Sequence, residues 1–245
     1  MSDELIVTGG IIAAGAGSRL RQAGWKEPKP LVRVAGIPLI ERVIRNFLAA
    51  GIQSLVIIFN EDEVDCKEWV KSQFPDLDLQ IIVKTTASSL ESFREVGMRM
   101  GPGPGLISSV DTWCPEEEVL DFVRGARQYP SGATVLAVTS FVADERPLWV
   151  TMAAGGRISG LGGNAGNAVT AGMYIVPEHV RKLSMPGELG RLRDFLAWLV
   201  RQDEPVYGVL LGEIVDVDRA EDVALAEMMT QRVRQTSMRL SGEQK

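Results

Sequence analysis

The chain has 245 residues, of which 45% are hydrophobic and 24% charged, and its formal net charge is -6. This length and composition suit a soluble α/β protein with a full core, and the acidic balance argues against a nucleic-acid partner, because such proteins usually present a basic face. Two cysteines without CxxC spacing and one histidine, His179, disfavour a zinc site or a Ser-His-Asp triad, and we interpret His179 as a surface residue at a helix start.

Strand and helix patterns alternate along the first half of the chain. Residues 5–14 form an apolar run with glycines, as in a buried parallel strand, and a loop rich in Gly and Pro follows to Pro30. The pattern then predicts strands at 54–59, 79–83 and 106–110, and helices at 38–50, 64–74, 88–100 and 116–128. Such alternation indicates βαβ units and a parallel sheet with right-handed crossovers.

The rhythm changes after Tyr129. Short apolar runs separated by glycines predict extra strands, some of them antiparallel, at 133–139, 148–152, 157–160 and 172–176. Helical spacing returns at 188–201, and residues 206–211 and 213–217 look like a final strand pair before a closing helix at 222–233. The start Met-Ser-Asp-Glu lacks the features of a signal peptide, and no apolar stretch reaches the ~20 residues of a membrane span. We therefore expect a cytoplasmic location and no membrane partner.

The loop after the first strand carries the most distinctive pattern, Ala13-Ala14-Gly15-Ala16-Gly17-Ser18-Arg19-Leu20 and then Glu27-Pro28-Lys29-Pro30-Leu31. Glycines after a strand let backbone N–H groups surround a phosphate, although a tight turn alone would also explain them. The spacing fits neither GxGxxG nor a P-loop. Instead the loop brings two cations, Arg19 and Lys29, which suit a triphosphate whose α–β bridge gains charge as pyrophosphate leaves.

This double motif resembles the signature of the sugar-phosphate nucleotidyltransferases, also called NTP transferases. The resemblance covers most of the chain and is clearest at residues 9–52 and 214–227. It implies a Rossmann-like three-layer α/β/α fold with a mostly parallel mixed sheet. We expect a single domain over residues 1–233, with a nucleotide half to about residue 130, an acceptor half from about 131 to 233, and a polar C-terminal tail at 234–245.

The resemblance also implies roles for individual residues. Arg19 and Lys29 would be the catalytic residues that grip the triphosphate. The expected nucleotide-binding residues are Ala13, Ala14, Gly15, Ala16, Gly17, Ser18, Thr86, Ser88 and Ser89. Ser88 with Glu91 also fits a helix capping box, which needs no ligand.

Two aspartates are implied as ligands of Mg²⁺, with Mn²⁺ as an alternative metal. Asp111 follows the strand at 106–110, and the carboxyl ends of parallel strands are where open α/β sheets bind ligands. Asp218 lies in a segment that resembles the family's Asp-x-Asp-Thr-Pro-Glu-Asp. Two alternatives stay open: Asp218 would serve equally as a helix N-cap, and strand alternation points Asp216 the same way.

The implied activity is transfer of NMP from an NTP to a small phosphorylated acceptor, a phosphorylated alcohol or a sugar 1-phosphate, with release of pyrophosphate. The Ser89-Leu90 pair resembles the short cytidylyltransferases, which favours CTP. Residues 157–172 contain no lysine for the acceptor phosphate, so Arg157, Asn164 or Asn167 would replace it, or the loop is only flexible glycine. The alternatives are a sugar-1-phosphate uridylyl- or guanylyltransferase and a catalytically silent nucleotide-binding module. Either a monomer or a homodimer is compatible with the sequence.

Overall fold

The computed structural model describes residues 8–242, so the start of the chain, the predicted strand residues 5–7 and the last three residues lie outside the described part. The strands are, in chain order, β1 (Thr8–Ala13), β2 (Arg33–Val34), β3 (Ile37–Pro38), β4 (Ser54–Phe59), β5 (Asp78–Val83), β6 (Gly105–Ser109), β7 (Thr112–Trp113), β8 (Thr134–Thr139), β9 (Trp149–Met152), β10 (Ile158–Leu161), β11 (Ala168–Val176), β12 (Val206–Leu211) and β13 (Val215–Asp216). The helices are α1 (Ser18–Gln22), α2 (Leu39–Ala49), α3 (Val64–Gln73), α4 (Ser89–Gly97), α5 (Glu116–Ala126), α6 (Glu178–Arg181), α7 (Leu192–Arg201) and α8 (Ala220–Gly242).

A nine-stranded mixed sheet organises the chain. Its main path runs β10-β9-β11-β6-β1-β4-β5, and β8 pairs with both β11 and β12. Strands β6, β1, β4 and β5 are mutually parallel, whereas β11 runs antiparallel to β6, β8 and β9. The predicted α/β class with a mixed sheet is confirmed, and the half that the alternating pattern covered supplies the four parallel strands β1, β4, β5 and β6.

Two apolar cores lie on the two faces of the sheet. Ile11 and Ala13 of β1 contact the core that includes α2, α3 and α5, whereas Ile12 and Ala14 contact the core that includes α4 and α7. Successive side chains of a strand point to opposite faces, so the consecutive apolar residues 11–14 supply both cores. This arrangement is the predicted three-layer α/β/α architecture.

The last two strands do not pair with each other, so the predicted final strand pair is wrong. Strand β12 lies parallel to β8, and β13 pairs antiparallel with β7 instead. The chain changes direction at Gly212, whose N–H donates to Glu118 Oε2 at 2.9 Å and whose carbonyl accepts from Thr139 Oγ1 at 2.6 Å. Side-chain contacts from distant elements fix this bend, and such contacts cannot be predicted from local sequence patterns.

The closing helix is longer than its apolar pattern indicates. Helix α8 continues to Gly242, through most of the predicted polar tail at 234–245, because residues 234–241 contain no Gly or Pro and include several good helix formers. Two other short elements, α1 and the hairpin of β2 and β3, lie where we predicted loops or nothing, whereas α6 confirms the helix start that we predicted at the exposed His179. No helix within residues 8–242 is long and apolar enough to cross a bilayer.

A buried arginine fixes the turn that leads into β6. Arg181 is only 1% exposed, and its guanidinium donates to the carbonyls of Gly97 at 2.7 Å, Gly101 at 2.9 Å and Gly103 at 2.6 Å. These carbonyls lie at and just beyond the end of α4, where backbone acceptors lack helical partners. Since β6 ends next to Asp111, Arg181 holds the strand that carries this residue toward the site.

Replacing Arg181 tests that support. Arg181→Met keeps much of the side-chain volume but removes every donor, so we expect the free energy of unfolding to fall by about 3 kcal/mol or more, as buried carbonyls lose their partners. Chemical denaturation measures the change, and Arg201→Met, at the exposed end of α7, serves as the control. An Arg181→Met protein with the stability of the wild type would contradict the assigned role.

Candidate active site

The glycine-rich loop follows β1 and leads into α1. Ala13 and Ala14 are buried at the strand end, while Gly15, Ala16 and Ser18 are exposed. Gly17 has φ +58°, and a Cβ there would lie 2.8 Å from Cβ of Lys29. Glycine is therefore required at this position for two reasons. The backbone is left-handed, and there is no space for a side chain beside Lys29 in the second half of the motif.

Four predicted site residues from distant parts of the chain meet at this loop. Lys29 Nζ lies 2.6 Å from Asp111 Oδ2 and 2.5 Å from Asp218 Oδ1, and the Lys29 side chain is 7% exposed. Arg19 Nη1 lies 2.9 Å from Asp218 Oδ2, across a sequence separation of 199 residues. The structure thus brings the two predicted catalytic cations and the two predicted metal ligands into one ion cluster.

Two members of this cluster, Lys29 and Asp218, stabilise each other's charged forms. Burial opposes the charge of Lys29, but the adjacent Asp111 and Asp218 carboxylates outweigh it and raise the pKa of Lys29 above its ordinary value. Burial likewise works against ionised Asp218, yet Lys29 and Arg19 lower the pKa of Asp218 below its ordinary range. Lys29 and Asp218 therefore stay ionised at neutral pH.

Backbone pairing explains why the two aspartates meet. The Val110 N–H donates to the Ile12 carbonyl at 3.0 Å, which extends the β6–β1 pairing to the residue before Asp111. The Val217 N–H then donates to the Asp111 carbonyl at 2.9 Å, next to the β7–β13 pair. These bonds place Asp218, which follows Val217, over the carboxyl end of the central strands.

The N-cap alternative for Asp218 does not describe this structure. The Asp222 carboxylate accepts the N–H groups of Asp218 at 3.0 Å and of Arg219 at 2.9 Å, so Asp222 satisfies the exposed donors before α8. The Asp218 carboxylate instead faces the cations Lys29 and Arg19.

Asp216 lies beside the cluster in a different environment. It stands opposite Thr112 in the β13–β7 pair, and the buried atoms Asp216 Oδ1 and Thr112 Oγ1 have no hydrogen-bond partner among the described residues. Burial, reinforced by the charge of Asp111, raises the pKa of Asp216 to about 8. A buried carboxyl oxygen without a hydrogen-bond partner is unusual, so Asp216 Oδ1 can accept a further donor or contact a cation.

The donor set suits a hard cation that is shared with a substrate. Asp111 and Asp218 supply carboxylate oxygens, and Asp216 Oδ1 lies close by without a partner. Within residues 8–242 no group of three His, Cys, Asp or Glu side chains is arranged to hold a metal alone. Mg²⁺ typically binds one or two carboxylates together with water and phosphate oxygens, which matches this arrangement.

The three predicted nucleotide-binding residues near α4 all have contacts within the protein. Ser88 caps the helix by accepting the Glu91 N–H at 3.3 Å, so the capping interpretation of Ser88 is confirmed. Thr86 Oγ1 and Ser92 Oγ are 2.6 Å apart, and Ser89 Oγ accepts the Leu192 N–H at 3.1 Å. Binding of the nucleotide by Thr86, Ser88 and Ser89 stays a prediction.

Two candidates for the acceptor phosphate are occupied elsewhere. Arg157 Nη2 donates to Asp203 Oδ1 at 2.9 Å and lies over the Tyr207 ring, and Asn167 exchanges hydrogen bonds with both backbone groups of Met152. Asn164 is exposed in the turn between β10 and β11.

The cavity next to Asp111 is lined instead by residues that the sequence analysis missed, Asp144, Tyr174, Arg191 and Arg193. Their only sequence signal is the Arg-Leu-Arg at 191–193, which we assigned to the interior of a helix predicted to begin at residue 188.

A buried carboxylate lies beneath the loop. Glu63, in the short turn after β4, is 0% exposed, and neither of its oxygens has a hydrogen-bond partner among the described side chains. Its only ion pair within residues 8–242 is with Arg21 Nη2 of α1, at 3.9 Å. Burial raises the pKa of Glu63 to about 7, although Arg21 opposes the shift.

Comparison with known proteins gives a family match. The model of the MobA-like NTP transferase domain matches residues 9–181. One relative is the CMP-5'-(3-aminopropyl)phosphonate synthase of Streptomyces rubellomurinus. It is 27% identical over 94 residues, which are 38% of this chain and 15% of that protein. The bifunctional IPC transferase and DIPP synthase of Rubrobacter xylanophilus is 46% identical over 48 residues, 20% of this chain and 11% of that protein. The chain therefore matches only a small part of the length of these two relatives.

Among solved structures, the inositol-1-phosphate CTP transferase from T. maritima superposes with a TM-score of 0.79 at 20% identity. The match covers 92% of this chain and 96% of that chain. At this identity the likeness establishes the fold, and it extends beyond the segment that the family model covers.

Glu63 offers a pH test of the packing beneath the loop. Its pKa is raised from about 4.5 in the unfolded chain to about 7 in the folded protein, so its neutral form stabilises the fold at low pH and this contribution is lost as pH rises through about 7. Glu63→Gln keeps the shape without the charge. We expect thermal unfolding between pH 5 and pH 8 to show a smaller loss of stability for the variant than for the wild type. Equal pH slopes would contradict the assignment.

Proposed function

The chain belongs to the family of MobA-like NTP transferases, and from this membership we propose the reaction of the intact protein. It transfers NMP from an NTP, with CTP favoured, to a small phosphorylated acceptor and releases pyrophosphate. The observation that carries the proposal is the pair of contacts from Lys29 to Asp111 and Asp218, with Arg19 on the second carboxylate.

The residues fit an in-line displacement at the α-phosphorus. An oxygen of the acceptor phosphate forms the new bond to the α-phosphorus, and the bond to the bridging oxygen breaks, so pyrophosphate leaves with the electron pair. Arg19 and Lys29 stabilise the charge that develops on this leaving group. The acceptor phosphate is already an anionic nucleophile and needs no general base, which agrees with a single, exposed histidine, His179.

A charge balance supports a metal at this site. Arg19 and Lys29 carry two positive charges and Asp111 and Asp218 two negative ones, so the ion cluster is neutral before any triphosphate binds. Asp111 and Asp218 would hold Mg²⁺ or Mn²⁺, which supplies the additional positive charge that phosphate oxygens need. Lys29 contributes by keeping the two carboxylates close together.

The preference for CTP rests on two kinds of support. Ser89-Leu90 resembles the short cytidylyltransferases, and the names of one relative and one structural neighbour refer to CMP and to CTP. Uridylyl or guanylyl transfer to a sugar 1-phosphate is the alternative. A catalytically silent module is disfavoured, because such a module has no chemical need for all four charged residues. A cytoplasmic monomer or homodimer stays our prediction.

A pyrophosphate-release screen tests this function. Four NTPs are crossed with a panel of phosphorylated alcohols and sugar 1-phosphates in Mg²⁺. We expect release with CTP and at least one acceptor, loss of release in EDTA, and recovery with Mg²⁺ or Mn²⁺. Lys29→Met should lower kcat on the order of a hundredfold, because the leaving group loses a cation.

Lys26→Met is the matched control for Lys29, since Lys26 lies in the same loop, is exposed, and forms no ion pair with the residues that the structure describes. It should retain wild-type turnover. No release in any combination would refute the proposed function, and full turnover in EDTA would refute the metal site. Wild-type kcat in Lys29→Met would refute the role of this residue alone.

Three aspartate variants separate metal binding from capping. Asp218→Asn should nearly abolish turnover and weaken the thermal stabilisation by nucleotide plus Mg²⁺, because the amide lacks the charge that a hard cation needs. Asp222→Ala should cost about 1 kcal/mol of stability, because two donors before α8 lose their acceptor, and should retain more activity. Asp216→Asn should have a milder effect on turnover than Asp218→Asn. An inactive Asp216→Asn beside an active Asp218→Asn would show that the two metal assignments are reversed.

A further inference from the structure

A small cavity opens beside Asp111, away from the glycine-rich loop. It has a volume of roughly 190 Å³ and lies between β11, the connection from β8 to β9, and the start of α7. Its charged and polar lining includes Asp111, Asp144, Asp216, Tyr174, Arg191 and Arg193. Because the cavity adjoins one of the proposed metal ligands, a molecule inside it would lie next to the reacting phosphate.

The lining of this cavity contains both acidic and basic side chains. Asp111, Asp144 and Asp216 are acidic and would repel an anionic acceptor, whereas the cations of the lining are Arg191 and Arg193. The proposed acceptor carries a phosphate, so its entry requires positive charge in the lining that offsets the carboxylates.

The start of α7 is anchored by contacts from three directions. The Asp194 carboxylate accepts the Arg191 N–H at 3.0 Å, and Ser89 Oγ accepts the Leu192 N–H at 3.1 Å. Arg193 Nη2 donates to the Arg146 carbonyl at 3.1 Å. The backbone that carries both arginines is therefore fixed relative to α4 and to the β8–β9 connection.

Both guanidinium groups retain donors for a ligand. Neither Arg191 nor Arg193 forms an ion pair within residues 8–242, and the hydrogen bond to Arg146 uses one of the five N–H donors of Arg193. Guanidinium groups bind phosphate through two parallel hydrogen bonds, which a lysine cannot do. Arginine without an acidic partner beside the reacting position is therefore well suited to a phosphate monoester.

We propose that Arg191 and Arg193 bind the phosphate of the acceptor and so select phosphorylated substrates, an inference that rests on the proposed nucleotidyl transfer. They take the place of the lysine that residues 157–172 lack. The cavity volume of roughly 190 Å³ is sufficient for a phosphate group with a short substituent.

A binding experiment tests the assignment without turnover. The protein is first saturated with Mg²⁺ and the α,β-methylene analogue of CTP, which fills the triphosphate site and is not cleaved, and inorganic phosphate is then titrated by calorimetry. We expect the wild type to bind phosphate and Arg191→Gln and Arg193→Gln each to weaken it about tenfold or more. Arg193→Lys should retain more affinity than Arg193→Gln, and Arg201→Gln, at the far end of α7, should match the wild type.

Steady-state kinetics with the acceptor found by the screen gives a second readout. In both Gln variants KM for the acceptor should rise while KM for CTP and the thermal midpoint stay unchanged. An equal rise in both KM values would indicate a displaced α7 and would overturn the assignment, as would unchanged phosphate affinity in the two variants. A wild type that binds the CTP analogue but not phosphate overturns this inference alone. A wild type that does not bind the analogue refutes the proposed function and this inference with it.

Discussion

The site depends on one buried ammonium group. Lys29 lies between Asp111 and Asp218 with almost no exposure to water, and each of these residues comes from a different part of the chain. Removing one partner from such a group leaves an uncompensated charge in a poorly solvated place, so the three positions constrain one another. The glycine at position 17 follows from the same constraint, because a larger residue would displace the segment that carries Lys29.

The sheet determines which segments can reach this ammonium. Strands β1 and β6 are adjacent and parallel, so the loop after β1 and Asp111 after β6 emerge at the same edge. Asp218 arrives there only because β13 leaves the main sheet and pairs with β7. The bend at Gly212, held by Glu118 and Thr139, is therefore as necessary to the site as the glycine-rich loop, although the bend lies outside the site.

The features of this arrangement that could be predicted from the sequence are those that depend on residues close together in the chain. Apolar continuity identified β1, and the spacing of Arg19 and Lys29 identified the loop, since both signals lie within a few residues. Asp111 followed from its place after an apolar strand, and Asp218 from a resemblance. The capping role of Asp222 and the partner of β13 were not predictable, because each depends on which of several equivalent donors or strands is nearest in space. The same holds for Arg191 and Arg193, whose significance lies in lining the same cavity as Asp111.

The site has two chemical parts. One is the ion cluster that is proposed to act on the triphosphate, and the other is the cavity that is proposed to bind the acceptor. In the ion cluster, Arg19, Lys29 and Asp111 lie within the segment that the family model matches, whereas Asp218 and the two cavity arginines, Arg191 and Arg193, lie beyond it. A triphosphate presents the same charges in every NTP, so the groups that stabilise its leaving pyrophosphate have little freedom to change. Acceptors differ in size and charge, and the groups that bind them can come from any element that borders the cavity. An arginine pair at the start of α7 is thus compatible with unchanged transfer chemistry. It determines which phosphorylated acceptor binds, and it does not change the ion cluster around Lys29.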